Sequence, residues 1–412
     1  MKLILIKTWA LFLGFAIICL AHGLQGTLIG IRAFTEGFSF VATGFVVAGY
    51  YVGYLLGSIL IPILLERVGH IRVFAALASL ASIAILLHSV FLDPFSWFFI
   101  RIITGISLSG IYIIMESWLN TRSTNQTRGK LLSIYMIITF SFVALGQFLL
   151  NLSDPLKVDL FILVSILLSF ALLPILLSMT EAPNFSNPSR LKFSELFEVS
   201  PLGFVGATFI GLSHSAVFGY GAVFAASKNL TTFEISLFMV IISSFGAILQ
   251  WPIGYFSDRI DRRIILIAVT ILASGFSILA IVSSYLSLFI FFIFIALYAG
   301  MSLPMYSLAI AHINDFLKAD EIVAATASFS ILVGIGSIFG PIISSTFMKI
   351  FGPDGFFIYL FFIHLGLGLF GFYRMAKRSK PKDIESQYVP LPRNISAAGM
   401  ELNPKVDKNT NN

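Results

Sequence analysis

Gly254-Tyr255-Phe256-Ser257-Asp258-Arg259-Ile260-Asp261-Arg262-Arg263 holds five charged residues in six consecutive positions, set between two long apolar runs. An earlier stretch, Glu66-Arg67-Val68-Gly69-His70-Ile71-Arg72, is a second charged loop of the same kind, with Glu66-Arg67 lying 192 residues before Asp258-Arg259. Each loop joins the second and third apolar run of a set of six. Two such loops at one offset point to an all-helical membrane bundle built by duplication.

The composition agrees. The chain is 412 residues long, 58% hydrophobic and 11% charged, whereas a soluble domain is about a quarter charged. It has too little polar surface to cover a water-soluble globule of this size. A membrane-crossing helix takes roughly 20 mostly apolar residues, and twelve such runs follow one another. They fall at about 8–31, 38–65, 72–92, 95–119, 131–151 and 157–178, then at 201–226, 233–256, 264–283, 286–311, 322–348 and 355–373. The first run is longer than the core of a signal peptide and reads as an uncleaved helix.

Basic residues set the orientation. With the N-terminus inside, the inner segments carry 21 of the 26 Lys and Arg, and the outer loops four, with Arg101 inside a run. Lys and Arg accumulate on the cytoplasmic side, so both termini are expected there, in the plasma (inner) membrane. The excess of positive charge is scattered over short loops and the tail, which argues against nucleic acid as a partner. Residues 1–178 form a first six-helix half, 179–200 a polar cytoplasmic linker, 201–373 a second half. Residues 374–412 form a cytoplasmic tail, expected to be disordered beyond its first turn. One cysteine, Cys19, rules out a disulfide framework within the chain.

Further repeats support the duplication. Gly14 and Gly206, and His22 and His214, are also 192 apart, and Gly105-Ile106-Ser107-Leu108 recurs as Gly300-Met301-Ser302-Leu303 at 195. Two parallel six-helix halves are related by an axis along the membrane normal, as in one class of secondary transporter.

With these residues in place, the chain resembles the major facilitator superfamily of transporters. The loop pattern Gly-x-x-x-Asp-Arg-x-x-Arg-Arg is met by Gly254, Asp258, Arg259, Arg262 and Arg263, and Arg-x-x-x-Gly in helix four by Arg101 and Gly105. The first loop departs from the pattern, with Pro62 for glycine, Glu66 for Asp and His70 for an arginine. Gln250-Trp251-Pro252-Ile253-Gly254 and Glu116-Ser117-Trp118-Leu119, followed by Arg128-Gly129-Lys130, resemble the YcaD-type branch. A Gly-Pro pair that marks many drug antiporters in helix five is absent there. It stands in helix eleven as Gly340-Pro341.

The resemblance implies that the charged loops latch the cytoplasmic side, Asp258 and Arg259 near Arg128, and Glu66 and Arg67 near Asp320 and Glu321. It also implies a role for Arg101 in coupling. The residues add their own candidates. An ionisable group inside a span marks function by default, and Glu116 is the clear intramembrane carboxylate. It either pairs with Arg122 or Arg128 in an inner gate, carries a proton, or is structural. His22, Gln25, Gln147, His214 and Gln250 are the polar side chains offered to a central cavity. Either they meet substrate or they tie helices together.

No clustered His/Asp or Ser–His arrangement marks an enzyme, and no cofactor or metal is implied. The chain is expected to be a monomeric secondary transporter of a small neutral or weakly charged organic solute, driven by protons or by the solute's own gradient. A non-transporting sensor or assembly factor, or a drug-efflux antiporter, is the alternative.

Overall fold

A computed structural model of the protein describes residues 2–177, 190–377, 388–392, 395–404 and 406, with the backbone alone for 2–7. Among the described residues, twelve helices are long and apolar enough to cross a membrane. They are α1 (Thr8–Thr35), α2 (Phe40–Val68), α3 (His70–Val90), α4 (Pro94–Arg122), α5 (Arg128–Leu152), α6 (Asp159–Leu176), α7 (Pro201–Ser227), α8 (Thr232–Ser257), α9 (Arg262–Ser284), α10 (Leu288–Asn314), α11 (Ile322–Phe351) and α12 (Gly355–Lys377). All regular structure among the described residues is helical.

Side-chain caps start the helices where the sequence turns polar. Asp93 accepts from the Ser96 amide ahead of Pro94, which sits in the first turn of α4. Ser200 accepts from the Gly203 amide before Pro201, and Thr231 forms a capping box with Glu234. Such caps satisfy amides that the helix leaves unpaired. Large apolar side chains remain on the outside, among them Phe95 at 75% and Trp251 at 76% exposed. A lipid-facing surface takes such side chains without cost.

The chain divides into two compact units. One spans Met1–Ser189 with Ile395–Asn412, the other Arg190–Asn394. In the first, α1 packs on α5, α2 on α4 and α3 on α6; in the second, α7 packs on α11, α8 on α10 and α9 on α12. The same pairing in both is what a duplicated sequence should give. Small residues set the closest crossings. A Cβ on Gly53 would strike the Ile102 backbone of α4, and one on Gly211 would strike the Val333 backbone of α11, the close approach that glycine permits in membranes.

Two segments differ from the sequence expectation. Most of the linker, 178–189, lies outside the described residues, but its end forms a helix, Phe193–Val199, that packs on α7. In the tail, 378–387 lie outside the described residues, whereas Leu391, Ile395, Met400 and Leu402 are buried. The expectation of disorder rested on the tail's polar average, which conceals these spaced apolar anchors.

Candidate functional site

In the first unit a polar cluster forms around the middle of α1. His22 Nδ1 lies 2.9 Å from the Tyr112 hydroxyl on α4, and its Nε2 lies 3.4 Å from the Tyr50 hydroxyl on α2. The Arg101 guanidinium sits over the Tyr50 ring, 4.7 Å from its centre. Arg101 is buried with its Nε unpartnered, and no carboxylate lies within ion-pair distance among the described residues. It therefore faces inward and does not snorkel to a headgroup. Gln25, one turn beyond His22, is 1% exposed, and neither atom of its amide has a hydrogen-bond partner among the described residues. A Cβ on the neighbouring Gly26 would meet nothing within 4 Å. Buried amides are almost always paired, so an idle one is an arrangement that suits a ligand. Gln147 differs: its Oε1 accepts from Thr27, which ties α5 to α1.

Tyr112, Glu116 and Asn120 follow at four-residue steps on one face of α4, spanning about 12 Å. Glu116 is fully buried. Its Oε1 accepts from the Tyr135 hydroxyl of α5 at 2.7 Å, and its Oε2 accepts from the amide of Ser396 at 3.0 Å and from the Ser396 hydroxyl. Of the readings left open for Glu116, pairing with Arg122 or Arg128 is not the one its hydrogen bonds show: Tyr135 and the tail segment meet the carboxylate. Asn120 donates to Glu401, and Arg128 donates to the Asn403 carbonyl.

The second unit shows the other predicted residues. His214 is buried, its Nε2 3.1 Å from the Ser302 carbonyl, while Ser302 Oγ lies 2.9 Å from Nε2 of the buried His364. His214 is thus packed on the Ser302 carbonyl within its own unit. Gln250 Oε1 accepts from Ser307 at 3.3 Å and from the Tyr388 hydroxyl at 3.5 Å. The motif glycine, Gly254, makes room for this same tyrosine: a Cβ there would run into the Tyr388 ring. Burial, with the Asp258 charge adding to it, pushes the Tyr388 phenol well above the ordinary tyrosine range.

Asp258 accepts from Arg262 at 2.8 Å and from the Tyr388 amide at 2.7 Å. Arg262 also donates to Asp315 at 2.6 Å and to the Ala311 carbonyl, and both Arg262 and Asp315 side chains are nearly sealed from solvent. Arg263 pairs with Asp261. Partial burial would raise the Asp261 carboxyl, but the Arg263 side chain and amide outweigh it and hold the group below the usual carboxylate range. Arg259 stacks on the Tyr255 ring and donates to the Tyr255 carbonyl. In the first loop Glu66 and Arg67 are exposed, and His70 is buried against Ser117, 3.0 Å away. His70 stands 192 positions before Arg262, so both loops anchor the start of their third helix through this residue.

Sequence reasoning missed Tyr50, Tyr112, Tyr135, Asp315, Ser307, Tyr388 and Ser396. Tyr112 was within reach, since it lies one turn before Glu116. The tail residues carried no signal, because their partners are 84 to 280 positions away.

The comparisons extend this picture. The family model described as Major Facilitator Superfamily matches residues 11–303 and 203–397. "Uncharacterized MFS-type transporter YcaD" of Escherichia fergusonii is 24% identical over 350 residues, covering 84% of this chain and 90% of its own. An MFS-type transporter of Yersinia pestis is 27% identical over 359 residues, covering 84% and 89%. Among solved structures, the nucleoside transporter NupG superposes with a TM-score of 0.75 at 16% identity, over 90% of this chain and 98% of that one. A bacterial homologue of the lysosomal transporter Spinster, inward-facing and occupied, gives 0.72 at 15% identity, over 93% and 99%. Motif, twelve-helix duplication and family match coincide, and the chain belongs to the major facilitator superfamily as a multi-pass membrane transporter that resembles its YcaD-type branch.

Proposed function

We propose that the protein moves a small neutral or weakly charged organic solute by alternating access, with the solute held at His22, Gln25 and Arg101. The observation that carries this reading is Gln25, a buried amide with both hydrogen-bonding atoms unspent, one helical turn from His22, which itself meets two tyrosine hydroxyls, one of them on the ring that Arg101 covers. An idle buried amide costs about 1–3 kcal/mol, and a bound solute would recover it. A single Arg with no paired carboxylate supplies too little counter-charge for a highly charged cargo. Both termini and the two charged loops are cytoplasmic in this reading, supported by the distribution of Lys and Arg. The loops act as gate elements through Glu66, Arg67, Arg128, Asp258, Arg259, Arg262 and Arg263. Glu116 is the carboxylate through which a driving proton would pass, joined to the solute cluster through the α4 face that also bears Tyr112.

A thermal-shift screen of the purified protein against metabolites and drugs tests this. A ligand of the folded state raises its unfolding temperature with concentration. The reading expects a hit whose shift disappears in Gln25→Leu and shrinks in His22→Ala. A hit that stabilises all three proteins equally would place the solute elsewhere.

A further inference from the structure

We propose that Glu116, Asn120, Arg128 and Tyr135 form a peptide-binding site whose resident ligand is the protein's own segment 395–404, and that this segment shields Glu116 until it leaves. The fit is that of a built site. Ser396 offers its amide and hydroxyl to one carboxylate oxygen, while its Oγ also accepts from the Gly399 amide and so starts the helix Ala397–Met400. Glycine is required at 399: a Cβ would come within 2.6 Å of the Glu116 carboxyl carbon and 2.7 Å of its Oε2. Asn120 and Arg128 hold Glu401 and the Asn403 carbonyl. Ile395, Met400 and Leu402 are buried as apolar anchors. The ligand class is therefore a short peptide with a serine helix cap, a glycine three residues on, and flanking apolar residues.

The segment just before it has its own dock in the other unit. Tyr388 covers Gly254 and donates to Asp258, and Leu391 exchanges hydrogen bonds with Ser307. There is thus one dock in each unit. Each occupies residues that the proposed function uses, Glu116 in one case, Gln250 and Asp258 in the other. The consequence for coupling rests on the transporter reading; the docking itself does not.

The test uses the full-length protein in lipid nanodiscs and a hydrophobic carbodiimide that modifies carboxyl groups, with modification of Glu116 read by peptide mass spectrometry. Gly399→Leu displaces the segment in cis and leaves the twelve helices untouched, which an unchanged unfolding temperature of the bundle checks. The expected result is modification of Glu116 at least tenfold faster in Gly399→Leu than in the unaltered protein. A synthetic peptide of residues 388–404 added to Gly399→Leu should restore the slow rate, and Ser396→Ala should fall between. Equal modification in unaltered and Gly399→Leu proteins, whether fast or absent, overturns the proposal, as does a peptide without effect. A peptide that restores shielding in a protein that moves no solute in liposomes keeps the site and removes the transporter reading.

Discussion

Ser396 presents both its backbone amide, at 3.0 Å, and its hydroxyl to the same oxygen of Glu116, 280 positions earlier in the chain. The amide is fixed to the backbone, so this contact survives only while the segment keeps its helix cap. Ser396→Ala removes the hydroxyl from both the Glu116 bond and the Gly399 cap. Losing a buried bond costs about 1–3 kcal/mol, which corresponds to roughly 5- to 150-fold in local opening. Hydrogen exchange of residues 397–404 should accelerate by that factor, with exchange in α4 unchanged.

Gln25→Leu should stabilise the empty protein. The substitution keeps volume and removes an amide with no partner, and relief of about 1–2 kcal/mol is expected. The same change should abolish stabilisation by the solute. Thermal unfolding with and without the ligand measures both; destabilisation of the empty protein would mean that Gln25 has a structural partner.

Arg262 and Asp315 form a buried pair, with side chains 1% and 3% exposed. Breaking a buried pair costs about 3–5 kcal/mol, and removing Arg262 also takes a cation from Asp258. Arg262→Met should therefore lower the unfolding temperature sharply, and adding Asp315→Leu should restore only part of the loss, because Asp258 and the Ala311 carbonyl still lack Arg262. Glu66→Gln and Arg67→Gln, on exposed side chains, should change stability by about 0.5 kcal/mol or less.

Asp261 predicts a pH effect whose sign follows from its depressed pKa. Its charged form is favoured in the folded protein, so its contribution is present above the ordinary carboxylate pKa, near 4. It is lost as pH falls through the lower folded value. Stability measured below about pH 4 should fall less steeply in Asp261→Asn than in the unaltered protein.

The bundle was legible because long apolar runs and two charged loops are local signals that need no knowledge of contacts. Arg101 and Glu116 stood out for the same reason, as charges in spans where hydrocarbon tolerates few. Partners were harder. His22 and His214 share a repeat position, yet one joins a cluster of tyrosines while the other packs on the Ser302 carbonyl. Duplication conserves a residue's place on the helix without conserving what the neighbouring helices bring to it. The tail was misread because average polarity hides a few spaced anchors, Leu391, Ile395, Met400 and Leu402, whose burial depends on surfaces far away in sequence.

The most direct test of the account is transport by the reconstituted protein. Proteoliposomes are presented with a mixed metabolite extract, and the trapped solutes are identified by mass spectrometry beside liposomes containing Gln25→Leu. The account predicts at least one small neutral or weakly charged solute that the unaltered protein accumulates or releases, with the movement lost in Gln25→Leu. Movement of that solute at equal rates by both proteins, or of no solute by either, would contradict it.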